Sequence, residues 1–389
     1  EVLAGLASAM RMDFETKAQR ITLLATGIYV ANTIPAMLFG SFAGIGADRW
    51  PKIRVMFASN GLRALLVLFT PICLIPGQNW MGLSWGYWAL ITMTFFESLL
   101  TQFFAPAEQA AIPLLVPKEH LLAANSLYQA TSMGATIIGF AIGEPLLRLL
   151  NNLFQSIGIL GGEFFLLPFC YGIAAIFISS ISLKENIHQL SKKNAWEEIV
   201  ESIQIIKEKP KIKTSMIQLV LLYSLLAALY VLAITLASAI TILGPTQFGV
   251  LLAISGLGMA LAALAIAQFG HNFDRRKLAA LGFSFLTFSL LLLGKFKGSL
   301  ILTFIFCGVL GIGAALVAIP AQTTLQEETP DSQRGKVFGV QNNLTNIALS
   351  LPLVLAGTLV SKYGIQPVLL FLAAITLIAA FLERPWKNC

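Results

Sequence analysis

Apolar and polar positions fall along this chain in long blocks rather than in short periods. Eleven apolar blocks lie near residues 21–44, 55–75, 87–112, 125–149, 160–183, 214–242, 249–270, 278–294, 299–325, 337–360 and 365–383. About 20 apolar residues in a helix are enough to cross the roughly 30 Å hydrocarbon core of a bilayer. The pattern therefore predicts an all-α polytopic membrane protein with eleven spans. One stretch departs from it. Residues Lys184 to Lys213 are polar and carry seven Lys and five Glu. Within it Ile199, Ile203 and Ile206 recur at helical spacing with Glu197, Glu198 and Glu201 between them, which predicts an amphipathic helix lying on the cytoplasmic surface. Two roles fit that helix, a latch between two bundles or a plain solvated linker. Either way it divides the chain into 1–183, a linker 184–213 and 214–389.

The first two spans are joined by a short charged hinge, Gly44-Ile-Gly-Ala-Asp48-Arg49-Trp-Pro-Lys52-Ile-Arg54. A second version, Gly270-His-Asn-Phe-Asp274-Arg275-Arg276-Lys277, joins two spans of the other half. The shared spacing Gly-x-x-x-Asp-Arg followed by bases resembles the signature loop of the major facilitator superfamily, Gly-x-x-x-Asp-Arg-x-Gly-Arg-Arg/Lys. Gly44, Asp48, Arg49 and Lys52 match it, with Pro51 at the second glycine and Ile53 where a base is common. In the second copy Gly270, Asp274 and Arg275 match. A further repeat supports two related halves. Ala105-Pro106-Ala107 is followed by Pro117, and Ile319-Pro320-Ala321 by Pro330. The run from Phe103 to Leu127, FFAPAEQAAIPLLVPKEHLLAANSL, resembles multidrug- and siderophore-exporter-like members. A looser similarity to bacterial lysophospholipid transporters covers that run and Val340 to Asn342. The resemblance implies two six-helix lobes, the first lacking its first helix here, around a central cavity, with alternating access by rocking of the lobes.

Composition agrees with a bilayer protein. Fifty-seven percent of residues are apolar and 12% charged, about half the charge of a soluble domain. The net charge of +7 does not mark a nucleic-acid protein, because the bases sit at span ends instead of on one face. With the 45–54 loop in the cytoplasm, inside segments hold 18 Lys and Arg against 7 outside, Arg63 lying within a span. That is the direction of the positive-inside rule. Trp80, Trp85 and Trp88 then cluster at an outer edge, as interfacial aromatics do. The sequence begins with Glu, and Val2 to Met10 is too short to span; these residues read as the tail of a lost first helix or the loop after it. The location implied is a bacterial-type inner membrane.

No catalytic pattern emerges. There is no P-loop, so ATP hydrolysis by this chain is not expected. His120, His188 and His271 lie in predicted loops and do not cluster as metal ligands. Cys73, Cys170, Cys307 and Cys389 form no C-x-x-C pair and suggest neither a disulfide framework nor a zinc site. No cofactor is expected. The expected partners are a small-molecule or lipid solute, the bilayer and, for a coupled transporter, protons, with the protein acting as a monomer.

Candidate site residues fall into two groups. The resemblance assigns Gly44, Asp48, Arg49, Lys52, Gly270, Asp274 and Arg275 to an inner gate, where the acid caps and pairs with helix ends and bases of the opposite lobe. The second group would serve coupling or a cavity: Arg63, Glu97, Glu108, Gln322, Asn342 and Asn346. Glu97 sits about ten residues into its span, where an ionisable group costs roughly 2.5 kcal/mol or more unless paired or hydrated. It is either a proton-coupling or substrate-contact residue, or a buried partner of Arg63 that locks the first half. Glu108, nearer the cytoplasmic end, reads as a gate or interface residue. Gln322, Gln341, Asn342, Asn343 and Asn346 can line a cavity or bond helices together. Gly134, Gly139 and Gly143 read as close-packing positions, and Glu144 with Arg148 as an i,i+4 pair.

The leading expectation is export of a small amphipathic organic solute, drug- or siderophore-like. Lysophospholipid movement is the alternative transport reading, and a non-transporting membrane sensor or scaffold the reading of a different class.

Overall fold

The computed structural model describes residues 14–383 apart from 75–76, 78, 81–82, 157, 159–160, 184, 186–194, 241–247 and 297. The Val2–Met10 stretch, Arg11, His188, Arg384, Lys387 and Cys389 lie outside the described residues.

The helices are α1 (Phe14–Arg49), α2 (Lys52–Leu68), α3 (Trp85–Leu115), α4 (Leu121–Ser156), α5 (Leu166–Ser179), α6 (Ala195–Glu208), α7 (Pro210–Ser238), α8 (Phe248–Phe269), α9 (Arg275–Lys295), α10 (Leu300–Glu328), α11 (Arg334–Tyr363) and α12 (Ile365–Leu382). Two short strands, β1 (Asn79–Trp80) and β2 (Leu83–Ser84), pair antiparallel between α2 and α3. Among the described residues ten helices are long and apolar enough to cross a membrane, and eleven if α4 counts as one bent span. The bend in α4 has a local cause. Pro145 lies inside the helix, removes the N–H that would bond Ala141 and crowds that carbonyl. All eleven predicted blocks thus fall on helices, and the long-block pattern is what a lipid-facing helix requires, since every backbone group must be satisfied within the segment.

The chain divides into two compact units, and each draws on both halves of the sequence. One comprises Glu1–Ala111, Glu144–Ile203 and Asp331–Asn346; the other comprises Ile112–Gly143, Gln204–Pro330 and Ile347–Cys389. In the first, Ala47, Val55, Met56, Ala107 and Ala111 form a small core where α1, α2 and α3 meet. The second has the larger core, in which Leu222, Leu232, Ala263, Leu286, Leu290, Ala315, Val317 and Leu369 are fully or almost fully buried. Glycines bring its helices together. A Cβ on Gly258 would strike the backbone of Gly308, and Gly282 and Gly313 lie against each other's carbonyls. Gly134, Gly139 and Gly143 behave differently: open space lies beside each of them. The close-packing reading of those three is thereby corrected; glycine spacing alone does not say which face of a helix meets a neighbour.

Helix α6 covers the stretch where an amphipathic helix is expected. Its buried side holds Glu198, Ile199 and Ser202, while Trp196, Val200 and Ile203 are exposed. The isoleucine row therefore does not form a single buried face: Ile199 faces inward and Ile203 outward.

Candidate functional site

The hinge between α1 and α2 places Asp48 in the last turn of α1. Its half-buried carboxylate reaches the first turn of α11. Oδ1 accepts the backbone N–H of Gly335 at 2.6 Å, and Oδ2 that of Lys336 at 2.9 Å. The first N–H groups of a helix have no partner inside it and carry the positive end of its dipole. A carboxylate there satisfies two of them at once, with charge-assisted bonds worth about 1.5–3 kcal/mol.

The approach that this contact needs is made by glycine on both sides. Gly40 and Gly44 on α1 and Gly335 and Gly339 on α11 are each four residues apart. A Cβ on Gly44 would collide with the carbonyl oxygen of Gly335 and the Cα of Gly339, and one on Gly339 with the Gly40 carbonyl. This is the small-xxx-small arrangement that lets two membrane helices touch backbone to backbone.

Amides continue the seam along α11. Asn342 Nδ2 donates to Gln102 Oε1 on α3 at 2.6 Å, and Asn346 Nδ2 lies 3.3 Å from the same oxygen. Asn343 Nδ2 donates to Ser41 Oγ on α1 at 3.0 Å. Gln102 is buried and gives its own amide to the Ser98 carbonyl. Sequence reasoning found Gly44, Asn342, Asn343 and Asn346 but not Gln102, Ser41, Gly40, Gly335 or Gly339. The glycine spacing was a readable signal; a lone amide in an apolar span was not.

Bases around the hinge are matched by acids of the polar linker. Arg49 Nη2 lies 3.0 Å from Glu198 Oε1, and Lys336 Nζ lies 3.5 Å from Glu198 Oε2. Glu185 accepts the backbone N–H of Lys52 with both oxygens at 3.0 Å and lies 3.5 Å from its ammonium. The start of α2 is thus capped by the linker and the start of α11 by α1.

The second hinge copy is built differently. Asp274, exposed, is the N-cap of its own helix α9 and accepts the Arg276 N–H at 3.2 Å. Arg275 grips Glu327 on α10 with both terminal nitrogens, Nη2 at 2.6 Å from Oε1. Gly270 is buried with Leu122 and Ile266 against it. In the same unit Asn125 on α4 donates to Gln326 on α10 at 2.6 Å.

Glu97 stands apart from the seam. It shares α3 with Gln102, but five residues turn it about 140° around the helix. Tyr171 on α5 donates its hydroxyl to Glu97 Oε1 at 3.1 Å. Arg63 is buried, bonds Asn60 at 3.3 Å, and lies 5.1 Å from the Phe104 ring centre and 5.5 Å from that of Tyr171. Arg63 and Glu97 are therefore linked through Tyr171. Glu108 is half-buried near the end of α3, and Gln322 is half-buried on α10 between buried Ala321 and Thr323. Glu144 and Arg148 pair at 2.5 Å and are exposed.

Among the described residues no group of His, Cys, Asp and Glu could hold a metal ion. The site's contacts are hydrogen bonds and ion pairs between helices.

Known proteins place this geometry in context. The chain is 24% identical to the multidrug efflux pump Tap of Mycolicibacterium fortuitum, over 92% of this chain and 87% of that protein. It is 21% identical to macrolide efflux protein A of Streptococcus pyogenes, over 86% and 80%. A crystal structure of the Escherichia coli fucose:proton symporter FucP superposes with a TM-score of 0.72 at 15% identity, covering 98% of this chain and 95% of that one. The family model described as Major Facilitator Superfamily matches residues 2–243 and again 219–386. With nearly the whole length matched, the chain is a multi-pass membrane transporter belonging to the Major Facilitator Superfamily.

Proposed function

We propose that this transporter exports a small amphipathic organic solute of drug or siderophore type by alternating access, its sequence halves 1–183 and 214–389 acting as the rocking lobes. The observation that carries the reading is the seam of α11 against α1 and α3. Its contacts are a carboxylate on free helix N–H groups, amide pairs and bare glycine backbone. Water can replace each of those bonds, so such a seam can open and close. Asp48, Arg49 and Lys52, with Gly44, serve the inner gate in this reading; Asp274 and Arg275 brace the equivalent loop of the second half. The export direction rests on the efflux relatives.

Everted membrane vesicles test this. Energised uptake of macrolides, cationic dyes, siderophores and lysophospholipids is compared between the parent chain and Asp48→Asn. The reading expects uptake of a drug or siderophore and a roughly tenfold loss in the variant, the scale of one charge-assisted bond. Uptake of lysophospholipid alone would replace the substrate class, and no uptake of any panel member would contradict the export reading.

A further inference from the structure

The linker helix α6 brings a carboxylate to the gate seam that neither α1 nor α11 supplies. Glu198 is 0% exposed. Its two oxygens face bases on two different helices: Arg49 at the end of α1, 3.0 Å away, and Lys336 in the first turn of α11, 3.5 Å away. Lys336 is the residue whose backbone N–H is already held by Asp48. Glu201, one turn further along α6, lies 4.0 Å from the same ammonium. Ser202 is also buried and bonds the Glu198 carbonyl at 2.7 Å, which fixes that turn of the helix.

A carboxylate removed from water is tolerated when opposite charge surrounds it, and breaking one partner away costs several kcal/mol because a buried charge is left unmatched. Arg49 and Lys336 sit on the two sides of the seam. If α11 leaves α1, the buried Glu198 loses the Lys336 ammonium while Arg49 stays beside it. The seam and the docked position of α6 therefore stabilise each other.

We infer that α6 is a latch on the gate, with Glu198 the positioning residue that holds Arg49 of α1 and Lys336 of α11 together. The inference rests on the gate reading above and adds a control element to it. Separation of α1 from α11 requires α6 to shift or Glu198 to be hydrated, so whatever moves α6 sets how often the gate opens.

The test reads the seam itself, separately from transport. Ser41→Cys is introduced into the full chain after replacement of its native cysteines, and its alkylation by a polar maleimide is timed in detergent. Ser41 is buried on the seam and bonded to Asn343, so labelling reports opening. Glu198→Gln should speed labelling roughly tenfold, the scale of one lost charge-assisted bond. Glu198→Asp should restore part of the slow rate. Lys336→Gln provides the second variant, attacking the same pair from α11. The double change Glu198→Gln with Lys336→Gln should label no faster than the quicker single change, because both remove one interaction. Unchanged labelling in Glu198→Gln and Lys336→Gln, or fully additive effects, would overturn the latch. Asp48→Asn is the reference. If it speeds labelling while the Glu198 variants do not, the gate stands and the latch falls.

Discussion

The carboxylate of Asp48 and the backbone of Gly335 are in contact with no room for a side chain between them. Oδ1 takes the Gly335 N–H at 2.6 Å, and a Cβ on Gly335 would stand 2.6 Å from that same oxygen. The cap on α11 therefore depends on what is absent from position 335 as much as on the acid at 48. Gly335→Ala should displace the carboxylate and lower transport about as far as Asp48→Asn does, roughly tenfold, because both remove a charge-assisted bond. Initial transport rates per folded molecule check this. A Gly335→Ala protein with parental rates would show that the cap is dispensable.

The two hinge copies should respond unequally. Asp274 caps its own helix on the surface, so Asp274→Ala should cost stability of about 1 kcal/mol and little transport. Asp48→Ala should lose transport with a smaller share of the damage in stability. Melting temperature and transport rate measured on both variants separate them; equal transport losses would mean that the loops act symmetrically.

Gln102 and Asn342 should behave as a pair. Gln102→Leu leaves the half-buried Asn342 amide without its 2.6 Å acceptor, at about 1 kcal/mol for the lost hydrogen bond. Adding Asn342→Leu removes the orphan, so the double variant should be less destabilised than the sum of the singles. Strict additivity in the melting temperatures would contradict a direct contact.

Tyr171→Phe tests where Glu97 belongs. Loss of the hydroxyl bond to Glu97 should cost about 1 kcal/mol of stability, with transport per folded molecule unchanged. A large transport loss without a melting shift would instead move Glu97 into the coupling machinery.

How much of this was legible in sequence differs by kind of signal. The spans were, because twenty apolar residues in a row have few other uses, and the Pro145 bend did not hide α4. Asp48 was, since an acid between two spans stands out in composition and its spacing repeats at Asp274. The glycines were only half legible. Gly40-x-x-x-Gly44 and Gly139-x-x-x-Gly143 look alike as text, yet the first meets α11 and the second meets open space. Which face meets a partner depends on tertiary packing. Burial of Glu198 was not legible at all: its partner Arg49 lies 149 residues away, and in a run of Glu and Lys it reads as solvated.

The central claim is that the seam between α1 and α11 opens during transport. The most direct measurement joins its two sides. Ser41→Cys and Asn343→Cys, whose parent side chains are 3.0 Å apart, are linked by a short cleavable cross-linker in a chain otherwise free of cysteine. Solute flux is then followed in proteoliposomes. The account predicts that flux stops when the link forms and returns when it is cleaved. Undiminished flux through the cross-linked protein would show that transport proceeds with the seam shut, and the gate assignment would be wrong.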